Sequence, residues 1–255
     1  MSEELLRARD VRAGYVPNVD VLQRLDFAVD AGQSVGVLAP NGGGKTTLFR
    51  TLLQELTPRA GTVTLNAPVA AVPQGDHARL DFPVTALDVT LMGAYARTPW
   101  WKRIARADRE RAGAALHRVG LSDRADARYG TLSGGQRRRV LIARALVQDA
   151  RILLLDEPFA GVDRTSEERI LHVLDELVAE GRALLIATHD VEQARRCDRV
   201  LCLNGGQVAF GPPATTLTAP ILKATYGAEL VVVGDADGEG AAETICAPHH
   251  DCSGH

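Results

Sequence analysis

Three clusters in this chain have the residue types and spacing to act on a phosphorylated ligand. The first is Ala39-Pro-Asn-Gly-Gly-Gly-Lys-Thr-Thr47, set between an apolar run and a segment carrying Leu48 and Leu52. Glycine lets a backbone wrap closely around an anion, so that successive N–H groups point inward at it. Asn41, Gly42, Gly43, Gly44, Lys45, Thr46 and Thr47 are therefore candidate phosphate-binding residues. Lys45 would reach the β- and γ-phosphates, and the Thr46 hydroxyl would coordinate Mg²⁺. The helix expected to begin near Lys45 aims its positive dipole end at the same anion. Loops of this pattern usually open with glycine, and Ala39 stands there instead. A methyl at that position costs on the order of 1 kcal/mol if φ is positive, and little otherwise.

The second cluster is Arg151-Ile-Leu-Leu-Leu-Asp-Glu157. An apolar strand ending in acids delivers them where open α/β sheets bind ligands. Asp156 would hold Mg²⁺ through water, and Glu157 would polarise an attacking water. The third is Leu132-Ser-Gly-Gly-Gln136, followed by Arg137-Arg-Arg-Val-Leu-Ile-Ala-Arg-Ala-Leu146. Ser133, Gly134, Gly135 and Gln136 would form a second anion-binding surface at a helix N-terminus, with Ser133 also as its cap. One chain with a phosphate cradle needs no second one for the same nucleotide, so this surface serves another nucleotide or another subunit's. Arg137–Arg139 reads as a solvated helix face.

The elements that must position these groups are visible in the hydrophobic pattern. Leu25, Phe27 and Val29 alternate with other residues, as do Val63 and Leu65, which predicts half-buried antiparallel strands. Ser34–Leu38, Ile152–Leu155 and Leu184–Ala187 are short continuous apolar runs, suited to strands of a parallel sheet buried on both faces. Ile170, Val173, Leu174, Leu177 and Val178 trace a helical stripe that stops at Gly181. Ala112, Ala115, Leu116 and Val119 trace another, ended by Gly120. Asn204–Gly205 marks a hairpin turn. The alternation of strands and helices indicates a mainly parallel α/β core. Residues from about 76 to 150 contain no convincing strand and read as a helical insertion, and low complexity begins after about Gly234.

Composition narrows the class. The 255 residues carry a net charge of −3, with 45% hydrophobic and 24% charged side chains, so disorder and coiled coil are excluded. A charge near zero supplies no basic field for nucleic acid. The longest apolar runs fall far short of the ~18 residues of a membrane span, and MSEELLRARD lacks the apolar core of a signal peptide. The chain is expected to stay in the cytosol. Cys197 and Cys202 read as core. Cys246, His249, His250, Cys252 and His255 sit in the last ten residues, where three of the seven histidines fall. These are candidate ligands for a soft or borderline divalent ion; a solvated tail of incidental composition is the alternative.

With Lys45, Gln74, Ser133, Asp156 and His189 in this order and spacing, the chain resembles the nucleotide-binding subunits of ATP-binding cassette (ABC) transporters over residues ~5–227. The resemblance implies an α/β P-loop cassette with a RecA-like mainly parallel core, an antiparallel β subdomain and a helical subdomain. In that layout residues 1–233 form the ATPase domain, with about 76–150 inserted, and 234–255 a flexible tail. It implies that Tyr15 stacks on adenine and that Gln74, in Val-Pro-Gln, senses Mg²⁺ and the attacking water. It further implies that Asp163, in Phe-Ala-Gly-Val-Asp, bridges to an opposing subunit, and that His189 contacts the γ-phosphate. Taken singly, Tyr15 could be packing, Gln74 a surface amide and His189 a loop histidine; the ordered set favours function.

The resemblance also implies a mechanism: a head-to-tail homodimer trapping two ATP with Mg²⁺, Glu157 serving hydrolysis, and Gln74 and His189 assisting. Because the chain has no membrane span, it implies integral-membrane permease subunits, with the cassette cytoplasmic and peripheral on the inner face of the membrane. An extracytoplasmic solute-binding protein would join indirectly, and no nucleic acid is expected. Asp88–Arg97, Trp100-Trp101 and Arg106–Arg109 resemble the manganese, zinc and iron importer group. An importer or exporter of another solute, or a non-hydrolysing regulatory cassette, are the alternatives. Only 88 positions separate Lys45 from Ser133, too few for the coiled-coil insertion of a DNA-maintenance cassette.

Overall fold

The structure is a computed structural model that describes residues 3–74, 82–96, 101 and 104–227, and the backbone of 230–233 and 243–246. Along the chain the elements are β1 (Glu4–Ala13), β2 (Leu22–Asp30), β3 (Ser34–Leu38), α1 (Lys45–Leu52), β4 (Ala60–Leu65) and β5 (Val69–Val72). They continue with α2 (Ala86–Leu91), α3 (Arg106–Arg118), α4 (Gly134–Val147), β6 (Ile152–Asp156), α5 (Arg164–Ala179), β7 (Ala183–Thr188) and α6 (Val191–Arg195). β8 (Arg199–Leu203), β9 (Gln207–Gly211), α7 (Pro213–Thr216), α8 (Ala219–Tyr226), β10 (Leu230–Val233) and β11 (Glu243–Cys246) follow.

Two compact units share these elements. One gathers Met1–Ala8, Ala28–Ser34 and Val63–Ile186; the other gathers Arg9–Phe27, Val35–Thr62 and Ala187–His255. In the first, β5 and β6 pair in parallel, Val69 opposite Ile152 and Val72 opposite Leu155, and β7 lies beside β6. The expected both-face burial holds, since Ile152–Leu155 and Ala183–Ile186 are all buried. In the second unit β3 and β8 pair in parallel and β8 and β9 antiparallel. Leu38, Val200, Cys202, Leu222 and Tyr226 form a core cluster there, and burial pushes the Cys202 thiol up to about 11. β1, β2 and β4 make a separate three-stranded sheet with β1 central. These are the mainly parallel and small β parts that the hydrophobic pattern predicts.

Both predicted glycine stops are Schellman caps. After α5, the Gly181 N–H donates to the Val178 carbonyl at 2.9 Å and Arg182 to Leu177 at 3.0 Å. After α3, Gly120 donates to His117 at 2.9 Å and Leu121 to Leu116 at 2.8 Å. Between residues 82 and 150 the described elements are helices, joined by one isolated bridge, Thr85 to Arg128. α2 is opened by a capping box in which Thr85 accepts from the Asp88 N–H and Asp88 accepts from the Thr85 N–H. Hydrogen bonds from Thr85 hold the Asp88 carboxyl below the usual range.

The arginine run departs from expectation. Arg138 and Arg139 are buried at 7% and 3% exposure, so this stretch of α4 is no solvated face. A guanidinium can be buried when its donors meet oxygen acceptors and its stem packs on apolar surface. Arg139 donates to the Val119 and Gly120 carbonyls at 2.8 and 3.3 Å, at the negative end of the α3 dipole. Arg138 donates to the carbonyls of Pro73 and Gln74. Within the segment read as a flexible tail, β11 pairs antiparallel with β10, Cys246 opposite Leu230.

Candidate functional site

In the second unit the phosphate-loop candidates connect β3 to α1. Gly42 and Gly44 have φ of 78° and 106°, a backbone that strains a side chain, and a Cβ on Gly44 would also lie 2.4 Å from the Leu22 Cδ2, which would have to shift. Ala39 is buried and is not among the positive-φ residues. Its methyl therefore meets the inexpensive case, and the departure from glycine costs the loop little. Gly43 closes a tight turn by donating to the Pro40 carbonyl at 3.0 Å. Lys45 folds back over the loop, its Nζ donating to the Ala39 carbonyl at 2.8 Å. Thr46, next along α1, is exposed, whereas Thr47 is buried.

Two further contacts organise this half. The Thr47 hydroxyl donates to the Tyr15 hydroxyl at 3.4 Å, and the Arg50 guanidinium lies 5.7 Å from the Tyr15 ring centroid. Tyr15 itself stays about half exposed, a ring held at its edge with open area to cover. From below, the Gly205 N–H donates to the Gly43 carbonyl at 3.3 Å, while Gln23 donates to Gly205 at 3.1 Å. The Asn204–Gly205 turn that the sequence marks only as a hairpin is thus also a prop for the phosphate loop. His189 follows β7 and is exposed. Its loop is pinned by the Asp190 N–H donating to the Thr188 hydroxyl at 3.0 Å, and by Asp190 capping α6.

In the first unit β6 delivers Asp156 and Glu157, both half-buried. The Gln74 side chain meets Glu157: its Nε2 donates to the Glu157 Oε2 at 2.6 Å. The amide orients a carboxylate, the type of group that takes a proton from water in general-base chemistry. Glu157 has φ of 44°, a left-handed backbone costing about 1 kcal/mol for a residue with a side chain. Pro158 follows it, and a residue before proline is pushed out of the right-handed helical region. Ala160 donates to the Glu157 carbonyl at 3.1 Å and closes the turn.

Ser133 and Gln136 form a reciprocal capping box, the Gln136 N–H on the Ser133 hydroxyl and the Ser133 N–H on the Gln136 Oε1. Ser133 and Gly134 are exposed; Gly135 is buried, and a Cβ on it would meet the Ser166 Cβ at 2.6 Å. Asp163 caps α5, accepting from the Ser166 N–H at 2.9 Å, and hydrogen bonds from Ser166 hold its carboxyl below the usual range. Asp is among the preferred N-cap residues, so this local cap is a second task for Asp163 beside the one that the resemblance implies. Cys246 is described by its backbone alone, and His249, His250, Cys252 and His255 lie outside the described residues. Among the described residues no group of three or more His, Cys, Asp or Glu is placed to hold a metal.

A glycine-rich loop between a buried strand and a helix, with acids at the end of a second buried strand, defines a P-loop nucleoside-triphosphate-binding protein. Comparison with known proteins agrees. The ABC transporter family model matches residues 22–160. The manganese transport system ATP-binding protein MntB of Bacillus subtilis is 41% identical over 225 residues, covering 84% of this chain and 90% of that protein. The zinc transport system ATP-binding protein TroB of Treponema pallidum is 36% identical, covering 82% of each. A solved transporter assigned to the metal-chelate ABC type, in an inward-facing conformation, superposes with a TM-score of 0.83 at 27% identity, covering 97% of this chain and 98% of that one. The chain belongs to the ATP-binding subunits of ABC transporters and is an ATPase coupled to transport. No helix among the described residues is long and apolar enough to cross a membrane.

Proposed function

We propose that this chain hydrolyses ATP as a head-to-tail homodimer, on the inner face of the membrane, to power a separate permease that imports a divalent metal ion. The observation that carries the catalytic half is the 2.6 Å hydrogen bond from Gln74 to Glu157. The cargo rests on relatives that are manganese and zinc transport proteins.

In this reading the N–H groups from Asn41 to Thr47 cradle the phosphates, and Lys45 leaves the Ala39 carbonyl to meet the β- and γ-phosphates. Tyr15 offers its open ring to adenine. The hard oxygen donors Thr46, Asp156 and Gln74 fit Mg²⁺, which when bound neutralises charge on the phosphates. Glu157 accepts a proton from water as the water oxygen bonds to the γ-phosphorus. The bond to the β–γ bridging oxygen breaks, and ADP and phosphate are left. His189 contacts the γ-phosphate. Ser133–Gln136 of the second copy completes the cradle, with Asp163 at the same interface, so ATP links two copies and hydrolysis releases them. An extracytoplasmic solute-binding protein would hand cargo to the permease.

Metal uptake tests the cargo. Cells of the encoding organism that lack this chain should lose most of their high-affinity uptake of radiolabelled manganese or zinc, with recovery on return of the wild-type chain and none with Glu157→Gln. Unchanged uptake of manganese, zinc and iron would overturn the metal reading.

A further inference from the structure

We propose that Arg138 is a positioning residue that ties helix α4 to the Gln74–Glu157 pair, and so sets turnover without touching the nucleotide. The proposal rests on the reading of Glu157 as the group that accepts the water proton. Arg138 lies on α4 five residues after Ser133, and 7% of its surface is exposed. Its two terminal nitrogens serve successive carbonyls of one strand end, Nη1 that of Pro73 and Nη2 that of Gln74, the latter at 2.8 Å. The side chain of that same Gln74 donates to the Glu157 Oε2 at 2.6 Å. A continuous chain of contacts thus runs from the helix carrying the Ser133–Gln136 surface, through one guanidinium and one amide, to the acid.

The chemistry of arginine suits this task. A planar guanidinium holds two acceptors at fixed separation, whereas a lysine ammonium is a point donor on a flexible stem. Fixing the carbonyls on both sides of the Gln74 nitrogen restrains the backbone from which the amide projects. Without Arg138 both carbonyls lose a buried donor, and the Gln74 amide is no longer held over Glu157. Small displacements of a catalytic group can lower turnover by up to about 10²-fold. A shift of α4 when the Ser133 surface is engaged would reach Glu157 by the same route.

The test is the ATPase of the full chain with Arg138→Met and Arg138→Lys, each alone and with Gln74→Ala. Arg138→Met should lower kcat about 10-fold with KM for ATP changed by less than about two-fold, and Arg138→Lys should recover part of the loss. In the Gln74→Ala background Arg138→Met should cost nothing further, because its effect runs through Gln74. An unchanged kcat in Arg138→Met overturns the proposal, as does the same fractional loss with and without Gln74. Should Arg138→Met fail to fold, Arg138→Lys carries the same comparison, with the same two outcomes overturning it. Glu157→Gln assayed in parallel separates the two failures. Full turnover there removes the role of Glu157 itself, whereas its loss beside a neutral Arg138 variant removes only the present proposal.

Discussion

Glu157→Gln should lower phosphate release from bound ATP by roughly 10²- to 10⁴-fold, the range expected when a general base is removed. The substitution keeps the shape at the end of β6, and an amide oxygen can still accept the Gln74 hydrogen bond. It removes only the capacity to take a proton at neutral pH. Nucleotide affinity should stay within about two-fold if, as proposed, the phosphate loop, Lys45 and Tyr15 supply binding and Glu157 does not. Single-turnover phosphate release beside equilibrium ATP binding checks both halves. A variant that hydrolyses at the wild-type rate would show that another group handles the water.

Lys45→Ala should do the reverse and weaken ATP binding roughly 10- to 100-fold, as expected for loss of a charge-assisted hydrogen bond to phosphate. In the free chain the Lys45 ammonium rests on the Ala39 carbonyl 2.8 Å away, a position from which it can swing to an incoming anion. Alanine is a good helix former at the start of α1, and the loop turn is closed by Gly43 on Pro40, so folding should be little changed. Titration with a fluorescent ATP analogue, beside a thermal melt, checks affinity and fold together. Unchanged affinity with an intact melt would place the phosphates somewhere other than this loop.

Much of the scaffold was legible because burial writes itself into pattern. The runs at Ser34–Leu38, Ile152–Leu155 and Leu184–Ala187 are the strands β3, β6 and β7, and the two glycines after helical stripes are Schellman caps. The phosphate loop was legible for a different reason, since the density of glycine before Lys45 has few other uses. What pattern could not convey is pairing at a distance. Three consecutive arginines look like a wet helix face, and it is distant carbonyls, those of residues 73, 74, 119 and 120, that let two of them be buried. The prop that Gly205 gives to Gly43 joins residues more than 160 positions apart and leaves no local mark. Nor does the composition around Glu157 reveal its left-handed backbone, beyond the constraint that Pro158 imposes.

Ser133 and Gly134 stand exposed at the start of α4, as they must if a second copy of this chain completes the phosphate site. Sedimentation of the Glu157→Gln chain tests that completion most directly, since that variant should hold ATP without consuming it. With MgATP the mass should be that of a dimer, and with MgADP that of a monomer. The same monomeric mass under both nucleotides, at concentrations that saturate binding, would contradict it.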